Sequence, residues 1–108
     1  PPPPEDPDDP RSRERYVRNS PEYKNCVSLI DSTYDRIQDQ MEKKQQKEID
    51  ELREKCKNKN GKLNKKKFER EMKKLRARWR PKWEDFNENY ADALKGCFIR
   101  VFKMFFGK

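Results

Sequence analysis

The segment Lys65 to Trp83, KKKFEREMKKLRARWRPKW, holds the residues best placed to do chemistry, and that chemistry is ion pairing. Between Gly61 and Arg80, ten Lys or Arg stand against only Glu69 and Glu71, a local charge of +8 that equals the formal net charge of all 108 residues. The rest of the chain is electrically balanced. Phe68, Met72, Leu75 and Trp79 recur at gaps of four, three and four. That spacing puts an apolar stripe on one side of a helix and leaves cations on the other sides. Such a strip fits an acidic, partly apolar partner. Lys65, Lys66, Lys67, Lys73, Lys74, Arg76, Arg78 and Arg80 would meet its acidic bands, and Trp79, Trp83, Phe98, Phe102 and Phe105 would supply buried anchors.

Other chemistries lack their residues. There is no His, no Gly-rich phosphate loop and no nucleophile beside a base, so an enzyme is not expected, nor any cofactor. Cys26, Cys56 and Cys97 lie 30 and 41 residues apart, without the close pairs of zinc ribbons or oxidoreductases. The expectation is three reduced thiols, each a small apolar residue on a helix face, in an intracellular protein. Lys57 to Asn64 (KNKNGKLN) has the spacing of a calcium loop, but Cys56 and Lys67 occupy its first and twelfth positions, where carboxylates are needed. No metal site is expected there.

These residues must be positioned by helices. Residues 1–10, PPPPEDPDDP, carry six prolines and four acidic side chains, which predicts an extended arm, and residues 11–18 add four arginines against Glu14. Ser20-Pro21-Glu22 is a helix start, with Ser20 as cap and Pro21 at the first helical position. From there Tyr23, Val27, Ile30, Tyr34, Ile37 and Met41 follow a 3.5-residue repeat, a seam that lies against other helices. The stripe shifts sideways after Lys43 and resumes at Ile49, Leu52 and Cys56. Asn60-Gly61 ends this helix and Asn64 caps the next. Pro81 is expected to break the cationic helix after Arg80 and to open a third helix carrying Trp83, Phe86, Tyr90, Ala93 and Cys97.

With 31% apolar and 44% charged residues, the chain is poor material for a globular core. The longest apolar run, Cys97 to Phe106, is interrupted by Arg100 and Lys103 and is about half of the ~20 residues a membrane span needs. Its aromatic and Met residues at helical spacing also suit a membrane surface or a Met-rich groove. Nucleic acid is a rival partner for the cationic segment, because Trp79 and Trp83 could stack on exposed bases.

Some short motifs resemble a known family. Pro1 to Asp6, Arg15-Tyr16-Val17-Arg18, Tyr23-Lys24, Tyr34-Asp35, Ile37, Asp39 and Glu42-Lys43-Lys44-Gln45 resemble insect flight-muscle thick-filament proteins of the flightin type. Trp79-Arg80-Pro81-Lys82-Trp83 is similar to an aromatic-Arg-Pro-Lys-aromatic step of that family, and the myofilin type is equally compatible. The resemblance implies a non-enzymatic muscle protein bound among myosin coiled-coil tails, with Arg15, Arg18, Trp79, Arg80, Lys82 and Trp83 as contacts.

The expected architecture is all-α: an elongated, non-globular chain of about three helices behind a Pro-rich arm, ordered mainly by its partners. Its segments are an arm over 1–19, a heptad-striped helix over 20–57, a turn over 58–63, a cationic helix over 64–80 and an aromatic helix over 81–108. Its expected function is that of a cytoplasmic structural accessory protein of the sarcomere or another cytoskeletal filament, which stabilises or stiffens acidic coiled-coil filaments such as the myosin thick filament. The alternative is a basic RNA-binding accessory subunit of a large ribonucleoprotein or mitochondrial complex.

Overall fold

The computed structural model describes residues 6–107. The chain is all-α, with three helices among the described residues: α1 (Pro10–Asn19), α2 (Pro21–Lys55) and α3 (Lys65–Phe106). Among the described residues the β content is one isolated antiparallel bridge, Lys57 to Leu63. None of the described helices is long and apolar enough to cross a membrane.

Two of the expected segments are corrected. The arm expected over 1–19 gives way to α1 at Pro10, because Asp9 caps the helix by accepting a hydrogen bond from the Arg11 N–H at 3.0 Å and Pro10 suits the first turn. The remainder of α1 is rich in Arg and Glu, which favour helix. Residues 1–5 of the expected arm lie outside the described residues. The break expected after Arg80 is also absent, since α3 runs through Pro81 without interruption. Pro81 cannot donate to the Ala77 carbonyl, but both residues are exposed, so water can satisfy that oxygen. On either side Trp79 and Trp83 bond to α2 and hold the helix through the proline.

The chain divides into two compact units, Pro1–Tyr34 with Glu88–Lys108, and Asp35–Asn87. In the first, Ser20 joins α1 to α2. Its hydroxyl donates to the Val17 carbonyl at 2.6 Å and accepts from the Tyr23 N–H at 3.2 Å, so one side chain ends a helix and starts the next. Tyr16 of α1 packs edge-on against Phe105 and Phe106, with ring centroids 5.0 and 5.8 Å away. Val17, Cys97 and Val101 are buried. The early part of α2 runs antiparallel to the late part of α3, as the pairs Tyr23–Phe98 and Tyr34–Tyr90 and the Tyr90 hydroxyl donating to Asp31 require.

A disulfide joins Cys26 to Cys97 in this unit, with Cα atoms 5.8 Å apart. It overturns the expectation of three reduced thiols. Cys56 alone is free, and it is buried.

The second unit is a helical hairpin. Its loop is held by Asn58, whose side-chain oxygen accepts from the backbone N–H groups of Asn60 and Lys62 at 2.9 and 3.0 Å. Gly61 takes a φ of +78°, which only glycine adopts without strain. Asn64 caps α3 by accepting from the Lys67 N–H at 3.2 Å. Leu75 and Trp79 are buried at 1% and 2% exposure. Each such side chain contributes about 2–3 kcal/mol when fully removed from water. The apolar stripe of α2 and the Phe68 and Met72 positions of α3 are half-buried.

Candidate functional site

The first sixteen residues of α3, 65–80, carry nine cations and two carboxylates. The helix period decides where they point. Phe68, Met72, Leu75 and Trp79 take the side that faces α2, so Lys66, Arg70 and Lys73, at spacings of four and three, line the opposite side, with Lys67, Lys74 and Arg78 as a neighbouring row. All nine cations are exposed. Lys74 pairs with Glu71 at 3.5 Å. Among the described residues, Lys65, Lys66, Lys67, Arg70, Lys73, Arg76, Arg78 and Arg80 form no ion pair. At 1.5 Å per residue the face is about 22 Å long. Lys66, Glu69, Arg70, Lys73 and Arg76, with the half-buried Phe68 and Met72, line an open depression on it.

The expected aromatic anchors all make contacts within their own chain, and Trp79 is buried there. Trp79 is 2% exposed, and its indole N–H donates to Glu48 at 2.5 Å. The half-buried Trp83 donates to Gln45 at 3.0 Å. Lys82 lies over the Trp79 ring, 4.4 Å from its centroid, and Arg53 of α2 covers Phe68 at 5.3 Å. A tryptophan whose ring packs on its own chain and whose N–H is bonded there is not free to fill a partner's pocket.

Phe98, Phe102 and Phe105 are half-buried in the other unit. Phe98 meets Tyr23 and Phe102, and Phe105 meets Tyr16 and Phe106. Arg18 pairs with Glu14 at 3.0 Å, donates to the Tyr23 hydroxyl at 2.9 Å and lies 4.8 Å from the Phe98 centroid. These contacts tie α1 down. Arg15 is exposed beside it and, with Arg11, Glu14, Arg18 and Asn19, borders an open surface depression.

Of the expected contact residues, α3 therefore brings the eight cations of 65–80 onto one helix in the hairpin unit, while Arg15 and Arg18 belong to the other unit. Arg70 was absent from that set, although its spacing from Lys66 and Lys73 marks it as part of the same row. Gln45 and Glu48, which hold the two indoles, fall at the seam spacing between Met41 and Leu52, where as polar residues they read as a break in the stripe and not as partners for an indole. The face can neutralise a row of negative groups; it contains no nucleophile beside a base. No protein-family model, no curated protein and no solved structure matches the chain.

Proposed function

We propose that this protein is a non-enzymatic binding module that holds the outer face of α3 against an extended acidic partner. The observation that carries the reading is the set of eight exposed cations on one helix without an intramolecular counterion. Unpaired like charges along a helix repel one another, and an acidic partner relieves that repulsion. Myosin rods, to which the flight-muscle resemblance points, offer such acidic bands and remain the protein partner to test. The Cys26–Cys97 disulfide argues for a compartment where disulfides persist rather than for the reducing cytoplasm of a sarcomere. The RNA alternative loses support, since the two indoles it needs for base stacking are bonded to Glu48 and Gln45.

The test is a titration of labelled chain with acidic coiled-coil rods and with poly-glutamate over a salt series, beside the variant Lys66→Glu/Arg70→Glu/Lys73→Glu. Saturable binding that weakens with salt is expected for the native chain, with loss of at least about tenfold in affinity in the variant. Equal binding by both chains, or loss on Arg11→Glu/Arg15→Glu in α1 instead, would overturn the assignment to α3.

A further inference from the structure

We infer that the acidic partner of the α3 face is a linear sulfated polysaccharide, an inference that rests on the binding role just proposed. Three observations lead there. First, the outward row of the face carries no large exposed apolar side chain, and the apolar residues beside it, Phe68 and Met72 in the depression, are half-buried. Leu75 and Trp79 are buried against α2, Arg53 covers the Phe68 ring, and the outward row reads Lys66, Arg70, Lys73, Ala77, Arg80. A protein interface draws its energy from buried aromatic and aliphatic anchors at a dehydrated centre. A hydrated polymer of fixed negative charge needs only ionic contacts and the release of its counterions, the same physics that governs binding along a nucleic acid backbone.

Second, the charge is dense and nearly of one sign. Eight unpaired cations over about 22 Å place one positive group every ~3 Å of helix axis. The outer surface of an acidic coiled coil interleaves carboxylates with lysines and would set like charges against this row. A sulfated chain offers only anions, and its tetrahedral oxygens suit both the arginine fork and the lysine point charge. Third, the Cys26–Cys97 bridge belongs to the oxidising compartments in which such polysaccharides are displayed, and nucleic acids are not ordinary partners there. The indoles that single-stranded RNA would stack on are taken up inside the chain.

Glu69 stands beside this row, among the residues lining the depression with Lys66, Arg70, Lys73 and Arg76. It opposes any anion there, which gives the inference a test of sign. The experiment titrates the disulfide-intact chain, verified by mass, with a heparin decasaccharide, its fully desulfated counterpart, poly-glutamate and single-stranded RNA of similar length, in 0.15 M salt. Expected are heparin binding at least about tenfold tighter than any other probe and a loss of tenfold or more in Lys66→Gln/Arg70→Gln/Lys73→Gln. The salt slope of that variant should fall by roughly one per removed cation, as for phosphate contacts. Glu69→Gln should tighten heparin binding about twofold. These residues are exposed, so circular dichroism should show unchanged helix content in each variant. Equal binding of sulfated and desulfated chains, or tighter binding of RNA, overturns the inference. Poly-glutamate binding without heparin binding overturns it and leaves the acidic-partner role standing, whereas binding of none of the probes removes both.

Discussion

Removing the Cys26–Cys97 bridge should cost this chain a large part of its stability. The bridge closes a loop with a sequence separation of 71 residues, and the chain-entropy relation puts the loss of denatured-state freedom at about 4.4 kcal/mol at 25 °C. A domain of this size is stable by only about 5–15 kcal/mol in total. Urea unfolding followed by far-UV circular dichroism reads the effect directly. At an m-value of roughly 1.5 kcal/mol/M, the midpoint of the reduced chain should fall by about 3 M relative to the oxidised chain. Cys26→Ala/Cys97→Ala should fall further by the equivalent of about 1 kcal/mol, because Cys97 is fully buried and its truncation leaves a small void. Thiol titration in urea supplies the control. One thiol, that of Cys56, should react without reductant and all three should react after reduction. A midpoint shift below about 0.7 M, equivalent to ~1 kcal/mol, would refute the reasoning. It would mean that the reduced, denatured chain keeps the two helices paired, leaving the crosslink no freedom to remove.

Two further substitutions separate folding from binding. Trp79→Ala should destabilise the hairpin unit by about 3–5 kcal/mol, and Trp79→Phe, which keeps a ring but leaves Glu48 without its donor, by about 1–2 kcal/mol. Poly-anion affinity of the Phe variant should be unchanged under conditions where it is folded, and a parallel loss of affinity would restore Trp79 as a contact residue. Pro81→Ala replaces an exposed proline deep in α3, restores a donor to the Ala77 carbonyl and should raise stability by about 1–3 kcal/mol in the same urea assay. A neutral or negative effect would show that the helix bends usefully at this position.

The periodic features of the fold are legible in the sequence. The 3.5-residue stripe of α2, the cap at Ser20, the turn at Asn60-Gly61 and the cap at Asn64 each depend on residues within one or two turns of each other, and each stands where the local pattern puts it. Pro81 and residues 10–19 depart from expectation for different reasons. Proline favours helix ends, but at Pro81 the Trp79 and Trp83 bonds to α2 override that preference, whereas over residues 10–19 the Asp9 cap, Pro10 in the first turn and the Arg and Glu that follow are local helix signals outweighed in the reading by the proline-rich stretch before them. The exposure of the nine cations of the site follows from the helix period, since charge away from an apolar stripe has nowhere to go but solvent, although Arg70 was not counted among the contacts.

What a sequence of this kind conceals is whether an apolar residue faces its own chain or another. Trp79 among arginines reads identically as an interface anchor and as the buried seam of a hairpin, because both require the same three-and-four spacing. The decision rests on register across the turn, and here a signal existed. Cys26 lies 35 residues before Gly61 and Cys97 lies 36 after it, so a chain folded back at Asn60-Gly61 brings the two cysteines level. Spacing along the chain marks zinc and redox pairs but is blind to a bond of this type, whereas distance from a turn is not. Within the hairpin unit the bonds of Trp79 and Trp83 to α2 settle the question for those two rings, and what α3 presents outward there is chiefly charge. If the reduced, unfolded chain binds heparin as tightly and as selectively as the oxidised one, then the cations act as a loose polycation and the helix that aligns them is irrelevant to recognition.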